Sequence, residues 1–308
     1  VAAGIAGPTV VVREVPLPVM SDRQLRKSIQ WEARNYISFP VEDSVVEFQV
    51  LDRPAPNSGS QMRVMLVAAP RDMVDSQVEA IELAGLEPMA VEIQPFASLR
   101  GILAANGHAQ SDGDTTAILG IGAAYTDITI MKEGRFVLTR TIPIAGDAFT
   151  DAIKSALDID TAEANQLKET AMQVVSSEEE RATLDPAAQQ ASRAIEPLLD
   201  ELVREVRRSL AYHDYQQQAP EAGAGELGVN RLLLSGGSAK LPRINEYFQA
   251  QLGVPVEIVS VFGQSGLKAQ GVNQDYLKSH APLLLVGTGL ALRGLQRKQR
   301  GRGGEEQQ

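Results

Sequence analysis

The chain has 308 residues, 44% hydrophobic and 22% charged, with a formal net charge of −10. That length supports one large or two ordinary domains with a real core, and the acid excess, with no basic block before the last residues, argues against nucleic acid as the main ligand. Cysteine is absent, which excludes disulfides, zinc–thiolate sites and cysteine catalysis.

Val1 and its neighbours already read like the inside of a domain, so an upstream segment is expected. Residues 1–5 and 9–15 form two short strands around Gly7-Pro8. Ser21 and Gln24 make an S-x-x-Q capping box, so a helix starts at Asp22. It runs to about Ile37, with Leu25, Ile29, Ala33 and Tyr36 on one side, and Pro40 prevents continuation. Trp31, the only tryptophan, lies partly round the helix from that stripe, either as core or as a partner-facing anchor. Residues 45–51 alternate as a half-buried strand, 53–61 is a loop by composition and 62–69 is a strong strand. A helix over 72–84 ends at Gly85, followed by a strand over 88–93 and a short helix over 95–105. The polar stretch 106–114 is the best domain boundary, and the order before it defines a mixed α/β domain.

Residues 115–146 read as a three-strand meander. Thr115–Ile121 is almost unbroken apolar, as expected of a strand buried on both faces. Gly120-Ile121-Gly122-Ala123-Ala124 makes a tight turn, residues 125–131 alternate, and Glu133-Gly134 is a hairpin signal. A small-residue hairpin between buried strands either cradles an anion with backbone N–H groups, Thr126 adding a hydroxyl, or is a bare glycine turn. Residues 147–157 form a helix with Phe149, Ile153 and Leu157 inward, and Thr161 caps a second helix carrying Lys168 and Glu169. The acidic stretch 176–186 reads as a loop. A long helix over 187–215 turns Ile195, Leu198, Leu202, Val206 and Leu210 inward, and 216–227 is a flexible connection. Strand Leu232-Leu233-Leu234 then leads into Ser235-Gly236-Gly237-Ser238, with Pro242 suited to the first turn of a helix. Strand, glycine loop and helix N-terminus together favour a nucleotide or another anion. Residues 254–259 form a strand, 261–280 have little pattern, and 282–295 form an apolar helix that Gly287 and Gly289 open to close backbone approach. No segment reaches the roughly 20 apolar residues of a membrane span, and no signal peptide is visible, which fits a cytoplasmic setting. His108, His213 and His280 lack metal-ligand spacing and read as surface or boundary residues.

Meander with small-residue hairpin, helical insertion, strand–Gly-Gly–turn, strand and glycine-bearing helix: this order resembles the second half of the actin-like ATPase fold of duplicated ribonuclease-H-like domains. Within that superfamily, WEARNYISFPVEDSVVEFQVL, AAPRDMVDSQVEAIELAGLEP, ILGIGAAYTDITI, LLLSGGSAKLPRI and VGTGLALRGL are similar to the PilM family of type IV pilus proteins, over nearly the whole chain. The resemblance implies an α/β molecule of four parts with an FtsA-type subdomain 1C. Residues 1–20 and 88–113 would be subdomain 1A, incomplete at its N-terminal part, and 21–87 subdomain 1C. Residues 114–144 and 229–295 would be 2A, 145–228 would be 2B, and 296–308 a disordered tail.

The resemblance also implies ATP with Mg²⁺, held by a phosphate loop of Gly120, Gly122, Ala123 and Thr126, an adenosine loop of Gly236, Gly237 and Ser238, Lys168 from 2B, and Gly146 where 2B begins. Gly236→Asp is expected to abolish nucleotide binding by placing a carboxylate beside the phosphates. The family's phosphate loop usually begins Asp-x-Gly, with the carboxylate organising Mg²⁺ and the attacking water. Gly120 stands there in this chain, so no catalytic residue is assigned and weak or no ATPase activity is expected. An earlier Asp-x-Gly loop of the family is absent, and Gly4-Ile5-Ala6-Gly7 reads as structural.

The implied role is a cytoplasmic adaptor, peripheral at the inner membrane, that binds the N-terminal tail of the membrane protein PilN in a groove between 1A and 1C. Through PilN it would reach PilO and link the motor ATPases to the alignment complex in pilus assembly and twitching motility. The alternative is an FtsA-like cell-division or filament-forming ATPase. FtsA ends in an amphipathic membrane-targeting helix, whereas 296–308 contains no apolar residue, so direct membrane insertion is not expected.

Overall fold

The computed structural model describes residues 1–55, 59–105, 113–175, 177–216, 228–262, 267 and 271–305. The domain boundary at 106–114 and the connection at 216–227 lie largely outside these residues, as does His108. The chain divides into two compact units, Val1–Gln94 with Leu290–Gln308, and Pro95–Gly289.

In the first unit, β1 (Ala2–Ile5) pairs in parallel with β5 (Ala90–Ile93). The strands β2 (Val11–Leu17), β3 (Ser44–Asp52) and β4 (Met62–Pro70) make an antiparallel sheet in the order β2-β4-β3. Helix α1 (Asp22–Ala33) lays Leu25, Ile29 and Ala33 on Val15, Leu17, Val64 and Leu66 of that sheet. Its capping box is formed as the sequence predicts: Ser21 accepts from the Gln24 amide, and the Gln24 side chain accepts from the Ser21 amide at 2.9 Å. The helix ends at Ala33 rather than Ile37. Ile37 and Phe39 turn into the same core, and Phe39 precedes Pro40, which disfavours helical backbone. Helix α2 (Arg71–Leu83) follows β4 directly and ends in the left-handed Gly85.

The second unit begins with α3 (Gln94–Ala105) and the meander β6 (Thr115–Ile121), β7 (Thr126–Lys132) and β8 (Arg135–Ile142). Glu133 and Gly134 both have positive φ, so the β7–β8 hairpin is tight. Then come α4 (Gly146–Leu157), α5 (Thr161–Thr170), α6 (Glu178–Arg181), α7 (Pro186–Gln216), β9 (Arg231–Ser235), α8 (Ile244–Leu252), β10 (Val256–Ile258) and α9 (Gln274–Glu305). The sheet order is β10-β9-β6-β7-β8, with β7 antiparallel to both neighbours and β6, β9 and β10 parallel. This five-strand order, with the second strand reversed, is the ribonuclease-H-like pattern that the resemblance implies. Leu119, Ile121, Ile128 and Leu234 point to Phe149, Ile195, Leu202 and Phe248 of α4, α7 and α8. Ile118, Met131 and Leu233 point to Leu99, Ile102 and Leu285 of α3 and α9. Burial on both faces explains the apolar runs of β6 and β9. Leu99, Ile102 and Ala105 of α3 bury against this sheet, so α3 groups with the second unit.

Several boundaries differ from the sequence reading. Asp160, not Thr161, caps α5: it accepts from the Glu163 amide at 2.9 Å and Thr161 is the first helical residue. The acidic loop before α7 contains the single turn α6, whose buried Arg181 pairs with Glu196 at 2.8 Å. Pro242 precedes a helix instead of opening one: a 3-10 turn at Gly237–Lys240 leads to Arg243 at φ 68°, and α8 starts at Ile244. Helix α9 starts well before Pro282, in a stretch with little sequence pattern, where Asn273 Oδ1 accepts from the Asp275 and Tyr276 amides. Its last turns run through Gly301, Gly303 and Gly304 to Glu305, in the stretch where a disordered tail is expected from the sequence. Among the described residues no helix is long and apolar enough to cross a membrane.

Candidate functional site

Strands β6 and β9 are parallel neighbours, with Gly120 opposite Ser235. The hairpin after β6 and the glycine turn after β9 therefore emerge side by side at the carboxyl ends of the strands, where open α/β sheets bind ligands. Gly146, the first residue of α4, sits where they meet. Its amide donates to the Gly122 carbonyl at 3.0 Å, and the Asp147 amide donates to the Ala123 carbonyl at 2.9 Å. A Cβ on Gly146 would stand 3.0 Å from Ser238 Oγ and 3.1 Å from the Gly122 carbonyl. A side chain on Gly122 would press on the Tyr125 carbonyl at 2.9 Å. These contacts fix the hairpin, the glycine turn and the start of α4 as one assembly.

The assembly encloses a cleft of about 510 Å³, within the range of small-molecule sites. Gly122, Ala123, Gly146, Lys168, Gly237 and Ser238 all line it, so six of the nine residues named from the sequence converge. Asp147, Asn165, Glu169, Lys240, Leu241 and Leu283 complete the wall, and all these residues belong to the Pro95–Gly289 unit. The backbone N–H groups of Ala123, Ala124, Gly237 and Ser238 donate to no backbone carbonyl among the described residues.

Lys168 is buried at 9% exposure, and its Nζ donates to the Gly146 carbonyl at 3.0 Å, Thr150 Oγ1 at 2.6 Å and Asn165 Oδ1 at 3.0 Å. All three acceptors are neutral. Desolvation lowers the ammonium's pKa, opposed in part by the Glu169 and Asp147 carboxylates. The ammonium is thus held at the cleft wall with its three donors on neutral oxygens and no carboxylate bonded to it; it offers an anion its charge, and a direct hydrogen bond only by giving up one of these three.

Three named residues stand apart from the cleft wall. Thr126 is fully buried and its hydroxyl donates to the Ile144 carbonyl at 2.6 Å, so it braces the strand instead of offering a donor. Gly120 lies inside β6, where a Cβ would touch Ser235 Oγ at 3.4 Å. Gly236 forms the support behind the turn: φ is +90°, its amide donates to the Pro282 carbonyl at 2.9 Å, and a Cβ would run into the Ile121 backbone. Asp127, opposite Gly120 in the ladder, accepts from the Thr141 hydroxyl at 2.5 Å, and burial raises its pKa. The sequence reading missed Asn165 and Thr150, although both stand at helical spacing from named residues, three before Lys168 and four after Gly146. Leu283 carried no local signal. His280 stacks on Tyr276 away from the cleft, at 4.1 Å between ring centroids.

The protein-family model described as type IV pilus assembly protein PilM matches residues 1–295. The chain belongs to the PilM family. Its fold is similar to a solved chain of a PilM–PilN type IV pilus biogenesis complex, with a TM-score of 0.77 and 27% identity over 95% of this chain and 79% of that one. Curated relatives include the cell division protein FtsA of Pseudomonas aeruginosa, 29% identical over 198 residues, and that of Bacillus subtilis strain 168, 26% identical over 150 residues. Those matches take in 60% and 44% of this chain but only 43% and 33% of the FtsA proteins. The actin-like α/β architecture expected from the sequence is thus the architecture of this PilM-family chain.

Proposed function

We propose that this PilM-family chain binds ATP with Mg²⁺ in the cleft and acts as an adaptor of the type IV pilus machine. The observation that carries the nucleotide reading is the convergence of Gly122, Ala123, Gly146, Gly237, Ser238 and Lys168 on one cleft. A triphosphate suits this surface: the Ala123, Gly237 and Ser238 amides, which no backbone carbonyl takes, and the buried Lys168 ammonium belong to residues that line the cavity, and Gly122 and Gly146 let the hairpin, the glycine turn and α4 close up beside it. Asp147 and Glu169 are the carboxylates on the wall. No group of three metal-ligating side chains occurs among the described residues, and Mg²⁺ on a nucleotide typically takes one or two carboxylates plus phosphates and waters. Bound Mg²⁺ would neutralise phosphate charge. Gly120 supplies no carboxylate and Asp127 is engaged by Thr141, which supports weak or no hydrolysis.

The partner in this reading is the N-terminal tail of a PilN protein, docked in a groove between subdomains 1A and 1C. Support comes from the PilM–PilN complex to which the fold is similar. Such docking would hold the chain at the cytoplasmic face of the inner membrane and, through PilN and PilO, connect it with the motor ATPases in twitching motility. The subdomain bounds given above, including 2A and 2B around the cleft, belong to the same proposal.

Gly237→Asp is the better probe, because Gly237 has no positive φ and a Cβ there meets only Leu283 Cδ2, at 3.7 Å. Gly236→Asp would break the turn itself. Calorimetry with Mg-ATP should show binding to the parent chain and none to Gly237→Asp, while both bind a PilN tail peptide alike. Equal ATP affinity in the two chains refutes the placement of the nucleotide, and failure of the peptide to bind either refutes the adaptor role. The FtsA relatives favour a second reading, a cell-division ATPase. Prompt phosphate release in a single turnover with Mg-ATP would support that reading against the adaptor.

A further inference from the structure

Two helices of the Val1–Gln94 unit carry outward faces that neither the core nor the cleft uses. On α1, Arg23, Lys27 and Trp31 follow one another at i, i+4 and i+8, on the side away from buried Leu25, Ile29 and Ala33. Trp31 is 67% exposed, and the Arg34 guanidinium lies over its ring at 4.9 Å. On α2, Asp75, Glu79 and Leu83 repeat the same spacing, and α2 has no fully buried residue. Leu83 is 82% exposed, with Leu86 at 50% just beyond. Arg23, Lys27, Asp75 and Glu79 have no ion-pair partner among the described residues.

A single exposed leucine is ordinary. Here an exposed indole ends a basic ladder, and an exposed leucine ends an acidic ladder of identical pitch. Eight residues span about 12 Å on either helix, so the two ladders match step for step when laid parallel. Tryptophan and arginine are the residues that most often anchor interfaces. We propose that α1 of one copy docks on α2 of a second copy of this chain. Arg23 and Lys27 meet Asp75 and Glu79 of the other copy, and Trp31 covers its Leu83. A reciprocal pair of such contacts closes a dimer with two-fold symmetry. This contact is independent of the nucleotide reading, because none of its residues lines the cleft.

Sedimentation velocity on the full chain tests the contact. Self-association should rise with protein concentration and weaken with added salt, since exposed charges are screened. Trp31→Ala should weaken it about tenfold or more. Lys27→Glu and Glu79→Lys should each abolish it, and the chain carrying both should associate again, because the swapped charges face each other across the interface. A chain that stays monomeric up to about 100 μM at low salt, the upper range for a weak specific contact, overturns the proposal. So does a double swap that associates no better than either single change. Loss of binding to an acidic peptide or to phosphatidylglycerol vesicles on Lys27→Glu, in a chain that is monomeric throughout, would also overturn it by giving the face a different occupant.

Discussion

Gly146 and Gly236, at the cleft of the Pro95–Gly289 unit, are fixed by what surrounds them, whereas Gly59 and Gly85 in the Val1–Gln94 unit are fixed only by their own backbone. Both of the latter have positive φ, and a Cβ on either would find nothing within 4 Å. Gly146, Gly236 and Gly289 instead press against the backbone of a neighbouring element. The difference follows from the sheets. The five-stranded sheet is covered on both faces, so its connecting turns must thread between packed elements. The three-stranded sheet rests its core on one helix and leaves α1 and α2 with open outer faces. A cleft for a small anion calls for the first kind of construction, and a docking surface for a second chain suits the other.

The sharpest way to break this contrast is to add one methyl group in each unit. Gly236→Ala forces left-handed backbone on alanine and drives its Cβ into the Ile121 backbone, so it should cost more than about 3 kcal/mol and remove the cooperative transition or lower it steeply. Gly85→Ala keeps only the backbone penalty, about 1 kcal/mol, because its Cβ enters open space. Urea titration followed by circular dichroism compares them directly. Equal losses would mean that the packing around the glycine turn is looser than the contacts imply.

A milder change sharpens the account of the smaller unit. Ser21→Ala removes the side chain that accepts from the Gln24 amide and should cost about 1 kcal/mol, read as a lower denaturant midpoint with an unchanged slope. The capping box was legible in the sequence because four consecutive residues contain it. The meander and the hairpin at Glu133-Gly134 were legible for the same reason, each being a local pattern of periodicity and turn residues, whereas the meeting of the two glycine loops, more than a hundred residues apart, came only from the family resemblance. The tasks of individual residues were less so. Thr126 reads as a donor to an anion, yet the strand register turns its hydroxyl to the Ile144 carbonyl. Gly236 reads as part of an adenosine loop, yet it serves as the support against which the turn is folded. Leu283 reaches the cleft from α9 and Asn165 from α5, and only tertiary packing brings them there.

The smallest expected effect concerns Asp127, the carboxylate nearest in the ladder to the place where the family's catalytic aspartate is expected. Burial raises its folded pKa above the ordinary carboxylate value, and the Thr141 hydroxyl offsets this only in part. By linkage, such a group favours the folded state fully at pH below its unfolded value, and that contribution is lost as pH rises through the folded value. At neutral pH the charged carboxylate therefore costs stability. Asp127→Asn keeps an oxygen to accept from Thr141 and carries no charge, so its melting temperature should exceed the parent's at pH 7. The gain should shrink on acidification and vanish below about pH 4, where the parent's carboxyl is protonated in both states. A constant difference across that range would mean that packing of the amide, not the charge, sets the effect. A loss at pH 7 would show that the carboxylate has a cationic partner in solution. Asp127 would then become a candidate for organising Mg²⁺, and weak hydrolysis would no longer follow from the glycine at position 120.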